Sequence, residues 1–160
     1  MSFKKYYSDY YNLVYEKKDY KSEVEYITKI LSSQKKNINT ILELGSGTGS
    51  HAKHFLGKGF NLTCVEKSKN MLANFKVRSK NLQVVNKDLK MLRLKKKFDL
   101  VISLFHVINY MTSNKDLNSF FKVGSHHLKK DGLLIFDTWY FPAVRFIKPQ
   151  IKIKIFKKKY

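Results

Sequence analysis

"ILELGSGTGSH", residues 41–51, sets Gly45, Gly47 and Gly49 at alternate positions between a short apolar run and a segment with helical spacing. Glycine at a strand-to-helix turn permits backbone angles barred to other residues and lets a ligand come close to the main chain. Dinucleotide sites use G-x-G-x-x-G, with a pyrophosphate at the amino end of the helix. The spacing here is G-x-G-x-G, and Glu43 stands two residues before the first glycine. An acidic side chain there would repel a pyrophosphate but suits a ligand carrying ammonium and sulfonium groups.

Outward from this loop the apolar pattern alternates between two periods. "DYKSEVEYITKILSS" places Val24, Ile27, Ile30 and Leu31 on one helical face. Strands are expected in "NTILEL", "FNLTCVE", "LQVVNKD", "FDLVISLF" and "GLLIFDTW". Helices are expected in "SHAKHFLGKG", "KNMLANFKVRSK" and "SNKDLNSFFKVGSHHLKK", the last opened by a Ser113/Asp116 capping box and closed by "KDG". Short apolar runs alternating with amphipathic helices specify a mainly parallel sheet covered on both faces, a doubly wound α/β domain. No internal repeat or flexible linker interrupts it.

Ligands of such sheets lie beyond the carboxyl ends of the strands, where strand order reverses. Glu66 ends the second expected strand, where an acidic residue can accept hydrogen bonds from both hydroxyls of a ribose. Asp88 follows the third, where a carboxylate can receive an adenine amino group. Glu43, Glu66 and Asp88 thus put acidic groups at three successive strand ends.

Taken together, "LELGSGTGSH", "VEKSKNML", "NKDLKML", "FDLVISLFHVINYM" and "LKKDGLLIFDTWYFPAV" resemble the ordered motifs of class I S-adenosylmethionine-dependent methyltransferases over most of residues 7 to 147. The resemblance implies a Rossmann-like fold, S-adenosyl-L-methionine as cofactor and S-adenosyl-L-homocysteine as product. It also implies that Gly45, Gly47 and Gly49 pass beneath the methionyl part, that Glu66 binds the ribose and that Met71 packs on the adenine. Asp88 and the Leu89 backbone would read the adenine edge, with Glu43, Tyr15 and Phe105 completing the expected cofactor contacts. Residues 1–147 form the cofactor-binding domain on this reading, with a helical lid over about residues 1–36 that carries Tyr11 and Tyr15.

Within that superfamily, "YYNLVYEKKDY", "SLFHVINYM" and "FDTWYFPAV" are similar to small-molecule enzymes that methylate sugar nucleotides, often at an amino group. Oxygen or nitrogen methylation of a small metabolite is expected, nucleotide-linked amino sugars among the acceptors. His106 is the candidate catalytic residue, orienting the acceptor or taking its proton, and Trp139 and Tyr140 either line the acceptor pocket or support the sheet edge. Base-modifying enzymes commonly carry Asn/Asp-Pro-Pro-aromatic where this chain has "SLFHVINY", and cytosine-carbon enzymes need a cysteine there. Two alternatives stay open: a non-catalytic cofactor-binding remnant or interaction subunit, and an RNA-directed methyltransferase.

Composition narrows the partners. The formal charge is +20, but only three of the 32 basic residues are arginine, the side chain favoured for bidentate phosphate and base recognition. Dispersed lysines suit a solvated surface or an anionic acceptor better than a dedicated nucleic-acid groove. Cys64 is the only cysteine and sits in an apolar run, so neither a disulfide framework nor a cysteine-rich metal site is available. No metal site is expected: His126 and His127 are adjacent and point apart, and His51 and His54 lack further ligands. Without a long apolar span or a signal-peptide core, no membrane contact and a cytoplasmic location are expected. The final "QIKIKIFKKKY" alternates isoleucine with lysine and reads as one more strand, the start of a β-rich substrate insertion or a carboxyl-terminal strand over residues 148–160, with the antiparallel strands that usually complete such a sheet absent.

Overall fold

The run Ile41–Leu44 is apolar or acidic at every position and is buried on both faces, as a central parallel strand must be. The computed structural model describes residues 5–34 and 37–148, so the strand expected in residues 150–160 lies outside the described residues. Five parallel strands form one sheet in the order β3 (Leu82–Asn86), β2 (Asn61–Glu66), β1 (Thr40–Leu44), β4 (Phe98–Ser103), β5 (Leu128–Phe136). The chain winds outward from β1 to β3 and then returns to the other side of β1. The reversal between β1 and β4 is the switch point at which a doubly wound sheet holds its ligand.

Alternation along the strands divides the core. Ile41, Leu62, Cys64, Leu100 and Ile102 pack with Val24, Ile27 and Leu31 of α2 (Tyr20–Ser33) and Ala52 and Phe55 of α3 (Ser50–Gly57). Leu42, Leu44, Val65 and Val101 meet Phe120 and Val123 of α5 (Asn114–His127) on the opposite face. Asp19 caps α2 through the Ser22 amide at 2.9 Å. Ser113 caps α5 by accepting from the Asp116 N–H at 3.1 Å, and the Asp116 carboxylate pairs with Lys90 at 2.9 Å.

Asp99 pins the base of the sheet. Its carboxylate accepts from the Thr40 amide and hydroxyl and the Asn39 amide, and pairs with Lys129. Burial opposes its charge, but Lys129 and these hydrogen bonds outweigh it and hold the carboxyl far below its ordinary range. His127 is fully buried between α5 and the loop before β4, with Nδ1 donating to the Val123 carbonyl at 2.8 Å and Nε2 accepting from the Leu94 amide at 2.9 Å.

Two expected boundaries are corrected. The helix α4 (Lys69–Ala73) stops well short of Lys80: Phe75 turns into the core, and Arg78 donates to the Phe75 and Val77 carbonyls in an irregular turn. The long helix ends at His127, and "KDG" lies inside β5, where Asp131 takes φ 61° and the register against β4 slips between Phe98 and Leu100. That bulge places Leu128 opposite Phe98 and Leu133 opposite Leu100. Two short helices complete the described chain, α1 (Lys5–Val14) and α6 (Phe141–Phe146), and among the described residues no helix is long and apolar enough to cross a membrane.

Candidate active site

A cavity of about 490 Å³ opens at the carboxyl ends of the strands. Its walls come from the segments after β1 (Gly45–Thr48), β2 (Glu66, Lys67), β3 (Lys87–Lys90) and β4 (Leu104–Val107), with Trp139 after β5. Tyr11, Tyr15 and Tyr20 close it from the amino-terminal helices.

The loop after β1 is held from β2. Gly45 and Ser46 both donate to the Val65 carbonyl, at 2.8 and 3.1 Å. Glu66, buried at the end of β2, accepts from the Gly47 amide at 3.1 Å on one oxygen and from the Ser68 amide at 2.7 Å on the other. Each carboxylate oxygen keeps a further lone pair for a ligand hydroxyl. All three loop glycines have left-handed backbones, φ 77°, 57° and 82°, yet what a side chain would meet differs at each. A Cβ on Gly45 would lie 2.7 Å from Val107 Cγ1, and one on Gly49 would lie 2.5 Å from Phe75 Cζ. A Cβ on Gly47 would clash with nothing, making an ordinary contact with Met71 Cε at 3.6 Å. Gly47 is therefore the glycine that keeps the cavity floor bare.

Glu43 and Gly49 do not line the cavity. Glu43 is 2 % exposed and sits behind the loop, accepting from Cys64 Sγ at 3.4 Å with His51 Nδ1 3.8 Å away. Burial pushes its carboxyl above the ordinary range, and His51 partly offsets this. Burial likewise pushes the Cys64 thiol up. Met71, Asp88 and Leu89 all reach the cavity. Asp88 accepts from the Lys90 amide at 2.9 Å, which turns the chain into the Leu89–Met91 turn, and it lies 3.6 Å from Lys67 Nζ.

Side-chain hydrogen bonds fasten the amino-terminal helices to this frame. Thr48 Oγ1 donates to Asn12 at 2.7 Å, Asn74 donates to the Ser8 carbonyl at 3.1 Å, and His51 Nε2 meets Glu23 at 2.8 Å. The His51 hydrogen bond, helped by Lys18, holds the Glu23 carboxyl down at about 2. Tyr15 meets Phe105 edge-on with ring centres 4.9 Å apart, and the Lys18 ammonium sits 4.7 Å from the Phe105 ring centre.

Phe105 and His106 are consecutive non-glycine residues in left-handed conformation, φ 62° and 61°, a strain of about 1–3 kcal/mol each. Asp137, just past β5, accepts from both of their amides, Phe105 at 2.9 Å and His106 at 2.7 Å. His106 lines the cavity beside Trp139, with ring centres 6.1 Å apart. Its Nδ1 is buried without a hydrogen-bond partner, 3.8 Å from Asp137 Oδ2, which leaves Nε2 as the nitrogen available to a ligand.

A bare glycine floor, a braced carboxylate at the end of β2 and a second carboxylate after β3 meet in one cavity at the switch point. The family model described as "Methyltransferase domain" matches residues 41–132. The chain belongs to this methyltransferase domain family. It is 28% identical over 137 residues to dTDP-3-amino-3,4,6-trideoxy-alpha-D-glucopyranose N,N-dimethyltransferase of Streptomyces venezuelae, a match covering 84% of this chain and 58% of the relative. Among solved structures it is similar to an S-adenosylmethionine-dependent methyltransferase from Clostridium acetobutylicum, with 29% identity, a TM-score of 0.76, and 89% of this chain and 59% of that one covered. It is also similar to the sugar N-methyltransferase KedS8 from Streptoalloteichus, with 25% identity, a TM-score of 0.77, and coverage of 88% and 57%. The chain thus spans somewhat more than half the length of these relatives.

For this methyltransferase domain, sequence reasoning reached the cavity residues Tyr15, Gly45, Gly47, Glu66, Met71, Asp88, Leu89, Phe105 and His106, which the fold gathers on one wall system. Tyr140, 73 % exposed, stays off that wall. Missed were Asp137, the Glu23–His51 pair and the Lys18 stack. Each joins segments far apart in the chain, and no local periodicity or motif spacing signals such a contact.

Proposed function

We propose that the chain carries out S-adenosylmethionine-dependent methyl transfer to a nitrogen or oxygen of a small metabolite, with a nucleotide-linked amino sugar as the favoured acceptor. The observation that carries the reading is the bare cavity floor at Gly47 beside Glu66. A side chain there would take the place of a methionyl group, and among the described residues Met71 Cε, at 3.6 Å, is the neighbour a Cβ would meet. Glu66 would hold the ribose hydroxyls, Met71 the adenine face, and Asp88 with the Leu89 backbone the adenine edge. The amino-terminal helices would act as a lid, with Tyr11, Tyr15 and Tyr20 excluding water.

When bound, S-adenosylmethionine supplies an electrophilic methyl group, whose sulfur leaves with the bonding pair. The residues of this chain orient the acceptor and handle its proton. A neutral amine must present its lone pair in line with the methyl carbon in a dry site. His106 Nε2 is the nitrogen that would accept the amine proton as the new bond forms. Trp139 supplies an apolar wall on the same side. The lysines of the cavity lining are balanced by carboxylates, Lys67 by Asp88 and Lys90 by Asp116, so the support for a nucleotide-linked acceptor is the dTDP-linked amino sugar that the Streptomyces relative's name states. A cytoplasmic location goes with this reading.

The test is calorimetric titration of S-adenosylhomocysteine into wild type and Gly47→Val, followed by mass spectrometry of a dTDP-linked 3-amino sugar incubated with S-adenosylmethionine. Micromolar binding that Gly47→Val abolishes, and acceptor methylation that His106→Ala slows by about 10²–10⁴-fold, are expected. A folded wild type that binds no S-adenosylhomocysteine would overturn the cofactor assignment. Binding without transfer to amino-sugar or hydroxyl acceptors would overturn the reaction.

A further inference from the structure

We propose that Asp137 is a positioning residue that fixes both the place and the tautomer of His106. This inference rests on the reading of His106 as the acceptor-facing base.

The first support is the backbone. A side chain at φ 61° is disfavoured for any L-residue outside glycine, and the chain does this twice in succession at Phe105 and His106. One carboxylate accepts both amides, at 2.9 and 2.7 Å, and charge-assisted bonds of this kind are about twice as strong as neutral ones. The carboxylate is delivered from the neighbouring strand, because Asp137 N–H donates to the Ser103 carbonyl where β5 runs beside β4. Without the clamp, residues 105 and 106 would relax toward right-handed angles and carry the imidazole away from its place beside Trp139.

The second support is the ring. His106 Nδ1 is buried and has no hydrogen-bond partner, and Asp137 Oδ2 lies 3.8 Å away. A buried imidazole nitrogen facing a carboxylate carries the proton, since an unprotonated nitrogen there would set lone pair against lone pair. The Nδ1–H tautomer leaves Nε2 unprotonated, as proton acceptance from the substrate requires. Such contacts are commonly long without substrate and tighten in the reacting complex. Asp137 thus acts through His106 without touching the acceptor.

Two readouts test this. Nitrogen-15 spectra of the imidazole at mildly alkaline pH should show His106 as the Nδ1–H tautomer in the wild-type chain. Asp137→Asn should change the tautomer and shift the amide resonances of Phe105 and His106, whereas Asp137→Glu, which keeps a carboxylate, should restore at least the Nδ1–H signal. In kinetics with the dTDP-linked amino sugar, Asp137→Asn should lower kcat about 10- to 100-fold. The same substitution in a His106→Ala background should cost nothing further, a non-additivity that a purely structural role would not produce. An Nε2–H tautomer in wild type, unmoved amides in Asp137→Asn, or additive losses would each overturn the proposal. Absence of transfer by wild type would count against the acceptor reading instead, and the imidazole spectrum would still decide the role of Asp137.

Discussion

The ring of Phe75 occupies the space that a side chain on Gly49 would need, with Cζ 2.5 Å from the position of a Cβ. A glycine in a ligand-binding loop is here required by a protein side chain, which anchors the chain after α4 against the amino end of α3. Gly45 is constrained in the same way by Val107, and only at Gly47 of the three would a Cβ meet no clash. One motif therefore combines two structural glycines with one that leaves room for a ligand.

Stability and binding should separate along that line. Gly47→Ala meets only Met71 at 3.6 Å, so it should cost about 1–2 kcal/mol, the penalty of a left-handed alanine, while S-adenosylhomocysteine binding falls sharply. Gly49→Ala adds overpacking against Phe75 of about 1–3 kcal/mol to the same backbone penalty. Urea unfolding and calorimetry on both variants check the contrast. Equal destabilisation by the two would refute it.

Glu66 should matter for the loop as well as for the ligand. Its two oxygens hold two backbone amides, at Gly47 and Ser68. Glu66→Gln keeps one carbonyl oxygen, so one buried N–H loses its acceptor at a cost of about 1–3 kcal/mol. An accompanying loss of affinity for S-adenosylhomocysteine of at least about 10-fold, equivalent to roughly 1.4 kcal/mol, is expected by titration calorimetry.

His127 gives the fold an acid-sensitive point. Burial lowers its pKa below the ordinary value of 6.5. The unfolded chain therefore takes up a proton first as the pH falls, so this stabilisation is present above 6.5 and lost on acidification through the lowered folded value. His54, also lowered by burial, adds in the same direction. Glu43 acts oppositely: its raised carboxyl contributes below 4.5 and loses that contribution as the pH rises through the raised value. The difference between wild type and His127→Gln isolates the histidine. Urea midpoints at about pH 7.5 and 5.5 should fall more in wild type, the limit being about 1.4 kcal/mol per pH unit for one proton. Parallel pH responses of the two proteins would exclude His127 as the source.

The lid fastening should show in exchange more than in stability. Glu23 is held at about 2, below its ordinary 4.5, chiefly by the His51 hydrogen bond. Its contribution is present above 4.5 and lost as the pH falls through about 2. Because the side chain is 40% exposed, Glu23→Ala should cost no more than about 1 kcal/mol of global stability. Faster amide hydrogen exchange in α1 and α2 than in the wild type, with β1 unchanged, is the expected result.

Much of this architecture was legible from one chain because strand burial leaves a signal in single residues. "TILEL" and "DLVIS" are apolar enough to be central parallel strands, and Glu66 and Asp88 mark strand ends. What escaped was set by contacts across the sequence. Phe75 has helical neighbours but is drawn inward by the gap over Gly49, which ends α4. Leu128 and Leu133 must both meet β4, so "KDG" becomes a bulge where a helix stop was expected. Glu43 carries the right charge at the right spacing for a ligand contact. Its strand face, shared with Ile41, turns it toward Cys64 and His51.

The strand order also has a consequence for biosynthesis. β1 pairs with β2, 21 residues on, but its second neighbour β4 lies 59 residues on, at Leu100 opposite Ile41. As the chain leaves the ribosome, β1, β2 and β3 can assemble while the inner edge of β1 stays bare and adhesive. Chains arrested just before β4 should recruit trigger-type chaperones, and chains arrested just after it should release them.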